Sequence, residues 1–267
     1  MTLLERLGAL FPQASRKSLT QWLKAGRVSV NDRVVRDGRA VLGPADEIAL
    51  RRRGQIPFPP GLRLVHEDPD ILVVDKPPGL LTIATERERQ RTAYRILREY
   101  LAAHGGRPFI VHRLDRETSG LLVFAKSPEA KRRLQSQFEA RAVERVYLAA
   151  VEGRVKADQG RLESRLAEDR SLRVRPAKAG KEAITHYRVL ARRAGTTVLE
   201  LRLGTGRRHQ IRVQLAELGH PIVGDRLHAR GRGPFGRMAL HATRLSFIHP
   251  ATGTRVSFES APPSGWV

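Results

Sequence analysis

At 267 residues, with 49 Lys and Arg against 27 Asp and Glu and a formal charge of +22, the chain fits a main domain of about 200 residues plus a small appendage. A surface this cationic is tolerable mainly when a polyanion compensates it, so nucleic acid is the expected partner. No apolar run approaches the ~18 residues of a spanning helix, and zero Cys excludes disulfides, thiolate nucleophiles and Cys-ligated zinc.

The N-terminus "MTLLERLGALFPQ" has neither the cationic start and apolar core of a signal peptide nor the Arg-rich character of a transit peptide, so a cytoplasmic protein is expected. Thr2 and Glu5 are spaced as a capping box, and Leu3, Leu4, Leu7 and Leu10 share one helical face, which predicts a helix over residues 2–10. Ser15 can cap a second helix with Leu19, Trp22 and Leu23 inward, Arg16, Lys17 and Lys24 outward, and Gly26 ending it. "RVSVNDRVVRDG" then alternates around Asn31-Asp32 as a small hairpin. "RRRGQIPFPPG" (Arg51 to Gly61) combines cations with Pro and Gly, the composition of a linker, and places a boundary near residue 55.

Beyond it, "DILVVDKPPG" reads as a buried strand running into a tight turn, and Tyr94, Leu97 and Leu101 predict a helix over Thr92 to Ala103. "FIVH" and "LLVFA" are short strands, and Ser127-Pro128 starts a helix through Arg141. "RVYLAAVEG", "ITHYRVL" and "TVLELRL" are further strands. A helix follows from about His209 to Leu218, closed by Gly219, and "ATRLSFIHPATGTRVSFES" is a hairpin. Many strands with few helices give an α+β fold built on one large mixed or antiparallel sheet, behind a small helix-helix-hairpin unit.

Asp115 lies between Arg113 and Arg116 in "HRLDRETSG", and cations close to a carboxylate favour its ionised form. Such a group serves as base or nucleophile, although for these residues taken alone a loop ion pair is the favoured reading. "LGTGRRHQIR" (Leu203 to Arg212) follows a strand and opens a helix, and Arg207, Arg208, His209 and Arg212 there suit a nucleic-acid backbone. It lacks the Gly-Lys-Ser/Thr of a phosphate-binding loop and the full three-glycine fingerprint, so no nucleotide cofactor is expected. Tyr147 is core or a platform for a base. Ser119 lacks the Gly-x-Ser-x-Gly elbow of a serine nucleophile, and nothing resembles a His-Glu-x-x-His metal site. His220, Asp225 and His241 read as structural.

Five segments in order, "HEDPDILVVDKPPGL", "HRLDRETSGLLVFAK", "VERVYLAAVEG", "LGTGRRHQIRVQLAELGHPIVGD" and "LHATRLSFIHPATG", resemble the motifs of the large-family, RluA-like RNA pseudouridine synthases. The first fifty residues resemble the ribosomal-protein-S4-like RNA-binding domain. Departures from the family pattern are Glu117, Arg145 and Arg208, where Asp, Lys and Thr are usual. The resemblance implies an S4-like domain over 1–54 and a catalytic domain over 55–267. It implies a cofactor-free, metal-free isomerase that cuts uridine's base from its ribose, rotates it and rejoins it through carbon 5, in large-subunit ribosomal RNA or transfer RNA rather than DNA.

By that match Asp115 is the catalytic aspartate, as nucleophile or base, with Arg212 pairing and orienting it. Tyr147 stacks on the base and assists proton removal at carbon 5, Leu203 lines the base pocket, and Arg113 fills the vacancy left by a flipped nucleotide. Monomer is the default state. The rival readings are a non-catalytic RNA-binding or ribosome-assembly protein, against which Asp115, Tyr147 and Arg212 count, and a base-releasing glycosidase, against which the lack of a paired acid counts.

Overall fold

The computed structural model describes residues 1–31, 33–51, 58–86, 88–169, 173–229, 231 and 233–266. It divides into two units, one of Met1–Pro60 with Ile83–Pro108, the other of Gly61–Thr82 with Phe109–Val267. The linker expected near residue 55 lies outside the described residues.

In the first unit, α1 (Leu3–Leu10) starts from Thr2, whose hydroxyl accepts from the Glu5 amide while the Glu5 carboxylate accepts from the Thr2 amide. Leu3 and Leu7 are buried; Leu10, expected inward, is exposed because the helix ends there and the chain turns at Phe11. Ser15 caps α2 (Arg16–Lys24), which buries Leu19 and Leu23 and leaves Arg16, Lys17 and Lys24 in solvent. The expected hairpin is β1 (Val28–Val30) with β2 (Arg33–Val34), and a third strand, β3 (Ile48–Leu50), pairs with the other edge of β1. Leu3, Leu7, Leu19, Leu23, Val28 and Val30 form one cluster. In the other segment of this unit, Thr92 caps α3 (Ala93–Ala103). The buried face of α3 is Ala93, Leu97, Tyr100 and Leu101, so Tyr100 rather than Tyr94 supplies the inward ring, edge-on to Phe58.

The second unit is built on an eleven-stranded sheet. Its strands are β4 (Arg63–Glu67), β5 (Ile71–Lys76), β6 (Phe109–Ile110), β7 (Ser119–Ala125), β8 (Glu144–Glu152), β9 (Gln159–Glu168), β10 (Val174–Pro176), β11 (Lys181–Arg193), β12 (Thr196–Leu203), β13 (Leu240–Ile248) and β14 (Arg255–Glu259). The main path runs β10-β9-β11-β12-β8-β13-β7-β5-β4, with β14 added to β13 and β6 to β7. Every pairing is antiparallel except β13 with β7, where His241 faces Ser119 and Ala242 faces Gly120, so the sheet is mixed. At that join Gly120 has φ +111°, and a Cβ there would lie 2.2 Å from the Ala242 carbonyl oxygen; only glycine lets the two strands meet.

The apolar run read from the sequence is β5, which is buried, as is its neighbour β7, although it lies one strand in from the edge strand β4. Ser127 caps α4 (Pro128–Glu139), and Ala130 and Leu134 of this helix pack on Ile71, Leu121, Val123 and Phe247. On the opposite wing α5 (Gln210–Glu217) packs against β9 and β11 through Val213, Leu166 and Ala183. Strands β9 and β10 went unassigned in the sequence because "QGRLESRLAE" buries only Leu162 and Leu166 and turns its charged residues to solvent.

Candidate active site

The segment carrying Asp115 joins β6 to β7 without strand pairing of its own, so its shape has to come from side chains. Thr82, buried, holds Leu114 from both sides: its hydroxyl donates to the Leu114 carbonyl at 2.8 Å and accepts from the Leu114 amide at 3.1 Å. The Arg116 carbonyl accepts from the Gly79 amide (2.8 Å) and from Lys76 Nζ (3.2 Å), and Arg116 Nε donates to the Gly79 carbonyl. The Thr118 amide closes a turn on the Asp115 carbonyl. Lys76 is fully buried and spends its other N–H groups on the carbonyls of Pro77 and Leu80, at 2.9 and 2.8 Å. Burial pushes it down to about 7, while the charges of Asp115 and Glu117 pull it up. Three carbonyl acceptors are the environment of an ammonium, and they favour the charged form.

The second half of the site is the turn before α5. His209 stands at the helix start in the left-handed region, φ 52°, and its side chain does not cap the helix. Gln210 holds this turn instead. Its Oε1 accepts from the Thr205 hydroxyl (2.7 Å) and the Arg207 amide (2.9 Å), and its Nε2 donates to the Ile184 carbonyl and the Thr185 hydroxyl. Gln214, one turn on, accepts from the Thr185 hydroxyl and donates to the Ala183 carbonyl. A fully satisfied buried polar network of this kind fixes the direction of the side chains above it.

Those side chains include Arg212. Its guanidinium is buried and makes a bidentate pair with Asp225, Nε to Oδ2 at 2.8 Å and Nη2 to Oδ1 at 2.6 Å, leaving Nη1 3.9 Å from Asp115 Oδ2. The expected Asp115–Arg212 contact is therefore present but long, and the close partner of Arg212 is Asp225. Asp225 also accepts from the Leu227 amide and lies 3.0 Å from His228 Nδ1. Hydrogen bonds and charge from Arg212 outweigh burial and bring its carboxyl down to about 2.

The cations nearest Asp115 differ from the expected ones as well. Arg113 is exposed with no ion pair among the described residues, and Arg116 turns to Glu117 at 3.8 Å. The groups that approach Asp115 are Arg212 and His209, whose Nε2 is 3.8 Å from Oδ2. Burial lowers the His209 imidazole and Asp115 raises it, the burial being the larger effect.

Tyr147 enters from the middle of β8, between Leu201 on β12 and Ala242 on β13. Burial and the negative charge of Asp115 push its hydroxyl up to about 12, with Arg145 acting against them, so it stands as a neutral phenol. Arg113, Asp115, Tyr147, Leu203, Arg207, Arg208, His209 and Arg212 all line one open cleft with about 600 Å³ of empty space, together with Leu114 and Leu240. At the rim Arg207 donates to the Glu182 carbonyl and Arg208 pairs with Glu168 of β9. Arg16, Lys17 and Lys24 belong to α2 in the first unit. The cleft thus offers a carboxylate beside a guanidinium and an imidazole, a phenol, and an apolar wall from Leu203 and Leu240: a place for a planar polar ring attached to a sugar.

Residues 70–217 match the family described as RNA pseudouridylate synthase. The chain belongs to the RNA pseudouridylate synthase family. It is 38% identical to the ribosomal large subunit pseudouridine synthase D of Neisseria meningitidis serogroup A, over 96% of this chain and 74% of that protein. The protein of the same description from Pseudomonas aeruginosa is also 38% identical, over 97% and 87%. Among solved structures, human RNA pseudouridylate synthase domain containing 1 aligns with a TM-score of 0.63 at 26% identity, covering 76% of this chain and 84% of that one. The chain is accordingly an isomerase, a pseudouridine synthase, and the mixed sheet is the fold of that family.

Sequence reasoning passed over three residues that shape this site. Asp225 was read as structural, and Lys76 and Gln210 were given no role. The signal for Gln210 and Gln214 was available: two glutamines four apart put one polar stripe on an otherwise buried helix.

Replacing Asp225 with Asn leaves Arg212 buried without its counter-charge, at a cost of about 3 kcal/mol. Because the folded-state pKa of Asp225 is depressed, its contribution is complete above the ordinary carboxylate range and is lost as pH falls toward 2. Urea denaturation at pH 7 is expected to show that deficit in Asp225→Asn, and the gap between the two proteins is expected to narrow at pH 2.5. A gap of the same size at both values would contradict the assignment.

Proposed function

We propose that the cleft takes a uridine flipped out of large-subunit ribosomal RNA and that Asp115 acts on its ribose. The observation that carries this reading is the meeting of Asp115, Tyr147 and the pair His209 and Arg212 in one cleft, from three segments distant in sequence. The descriptions of the relatives from Neisseria and Pseudomonas support large-subunit ribosomal RNA over transfer RNA as the substrate.

In this reading the N1–C1′ bond breaks with Asp115 as the group facing the sugar. The base, N1 keeping the electron pair of the broken bond, turns within the cleft, C5 bonds to C1′, the proton on C5 leaves to restore the ring's double bond, and N1 takes up a proton. Arg212 orients Asp115 from 3.9 Å, and because its charge is balanced by Asp225 it does so without a closed ion pair that would have to open first. Tyr147 stacks on the base; as a phenol it takes the C5 proton only while passing its own onward, and Asp115 is the acceptor in the same cleft. Leu203 packs on the base and exposed Arg113 occupies the space the base leaves in the RNA. Arg207, Arg208 and His209 meet the strand at the rim.

Residues 1–54 serve as an S4-like RNA-binding domain through the solvent-facing Arg16, Lys17 and Lys24 of α2, and 55–267 as the catalytic domain. The cleft is complete within one chain, which supports a monomer. A substrate in the ribosome supports a cytoplasmic location, and no helix among the described residues is long and apolar enough to cross a membrane.

Asp115→Asn is expected to retain RNA affinity and to lose isomerisation by on the order of a thousandfold or more, read as tritium release from carbon 5 of uridine in transcribed large-subunit ribosomal RNA. Full activity in that variant would remove Asp115 from its role. Reversing charge on α2 with Arg16→Glu, Lys17→Glu and Lys24→Glu is expected to weaken RNA binding and flatten its dependence on salt by roughly 0.7 to 0.9 in the log–log slope per lost phosphate contact; a salt titration with an unaltered slope speaks against contact through that helix.

A further inference from the structure

Arg212 has two sides. One lines the cleft that holds Asp115; the other lines a separate pocket, with about 490 Å³ of empty space, whose wall also includes Arg226, Arg237, Met238, Gly224, Gly236 and the carboxylates Glu117 and Asp225. The charges of this second pocket are unevenly balanced. Arg212 is neutralised by Asp225, and Glu117 already faces Arg116 at 3.8 Å. Arg226 is exposed and has no ion pair among the described residues, and Arg237 has none either.

Arg237 is nevertheless held firmly, by neutral groups alone. Its Nη2 donates to the buried Ser119 hydroxyl at 2.6 Å, its Nε donates to the Met238 carbonyl at 3.3 Å, and its guanidinium lies 4.9 Å from the centre of the Trp266 ring. Ser119 is in turn bonded to His241 Nδ1 at 2.8 Å, so the guanidinium rests on a fixed support. Burial lowers its pKa despite the pull of Glu117 and Asp75, as for a cation short of counter-charge. A planar fork of donors oriented by neutral partners, beside a second arginine and open backbone at Gly236, where an added Cβ would meet nothing, is suited to a tetrahedral anion.

We propose that this pocket is a subsite for an RNA phosphodiester next to the target uridine, gripped by Arg226 and Arg237. The proposal rests on the reading of the neighbouring cleft as the uridine site: with Arg212 common to both, an occupant of the pocket lies one residue's width from the reacting nucleotide. Its consequence is that local backbone geometry beside the uridine is read together with the base, and that the energy of this contact serves to draw the nucleotide into the cleft.

The test uses the full chain. Arg226→Ala is expected to raise KM on transcribed large-subunit ribosomal RNA by roughly tenfold and to lower the salt slope of oligouridylate binding by about 0.7, the value for one phosphate contact on a single strand, with kcat held within about twofold. Arg237→Lys keeps the charge and loses the fork; it is expected to keep the salt slope and still raise KM. On an oligouridylate with uncharged methylphosphonate linkages, neither variant is expected to differ from the wild type. Wild-type KM and salt slope in both variants would overturn the subsite, as would equal losses on the charged and uncharged strands. Asp115→Asn run alongside separates the two ideas: its full turnover would sink the uridine reading of the cleft, while the oligouridylate slopes still report on the pocket.

Discussion

A guanidinium buried within 4 Å of a carboxylate would ordinarily close onto it and form an ion pair that occupies both groups. In this chain Arg212 is already committed in two hydrogen bonds to Asp225, and only its remaining Nη1 faces Asp115, 3.9 Å away. The buried pair satisfies the charge of Arg212 locally and fixes its plane. Asp115 keeps an oriented positive neighbour and stays open to the cleft.

That arrangement holds only if both ends are rigid. The Asp115 end has no ladder of backbone bonds, and its place is set by Thr82, Gly79 and Lys76 acting on Leu114 and Arg116, the residues on either side. The Arg212 end is set by Gln210 and Gln214, which tie the first turns of α5 to the carbonyls and hydroxyls of β11 and its neighbours. Both supports are buried and polar, so an unsatisfied member would be costly, and a complete set holds a single geometry. The sheet beneath carries Tyr147 into the same space from β8, at the register fixed by Leu201 and Ala242.

Local signals were legible in the sequence. The Thr2–Glu5 capping box, the caps Ser15 and Ser127, and the apolar run of β5 were read within a residue or two of their observed positions, because each is decided by neighbours a few residues apart. What escaped depends on distance along the chain. Arg113 and Arg116 flank Asp115 in sequence yet make no ion pair with it, while His209, almost a hundred residues on, approaches it beside Arg212, whose place there came from the family resemblance and not from the spacing. Asp225 could not be matched to Arg212 without knowing that the loop after α5 folds back on it. Strand β9 was hidden by its own chemistry, since a strand paired on both sides but with one solvated face carries too few apolar residues to show a period.

The central claim is that Asp225 acts on the chemistry only by holding Arg212. A double-mutant cycle on kcat for Asp225→Asn and Arg212→Lys measures this most directly, with tritium release from carbon 5 as the signal. The account predicts that each single change lowers kcat and that Asp225→Asn costs almost nothing further once Arg212 is replaced, a coupling of about 2 kcal/mol or more. Losses that simply add would contradict it.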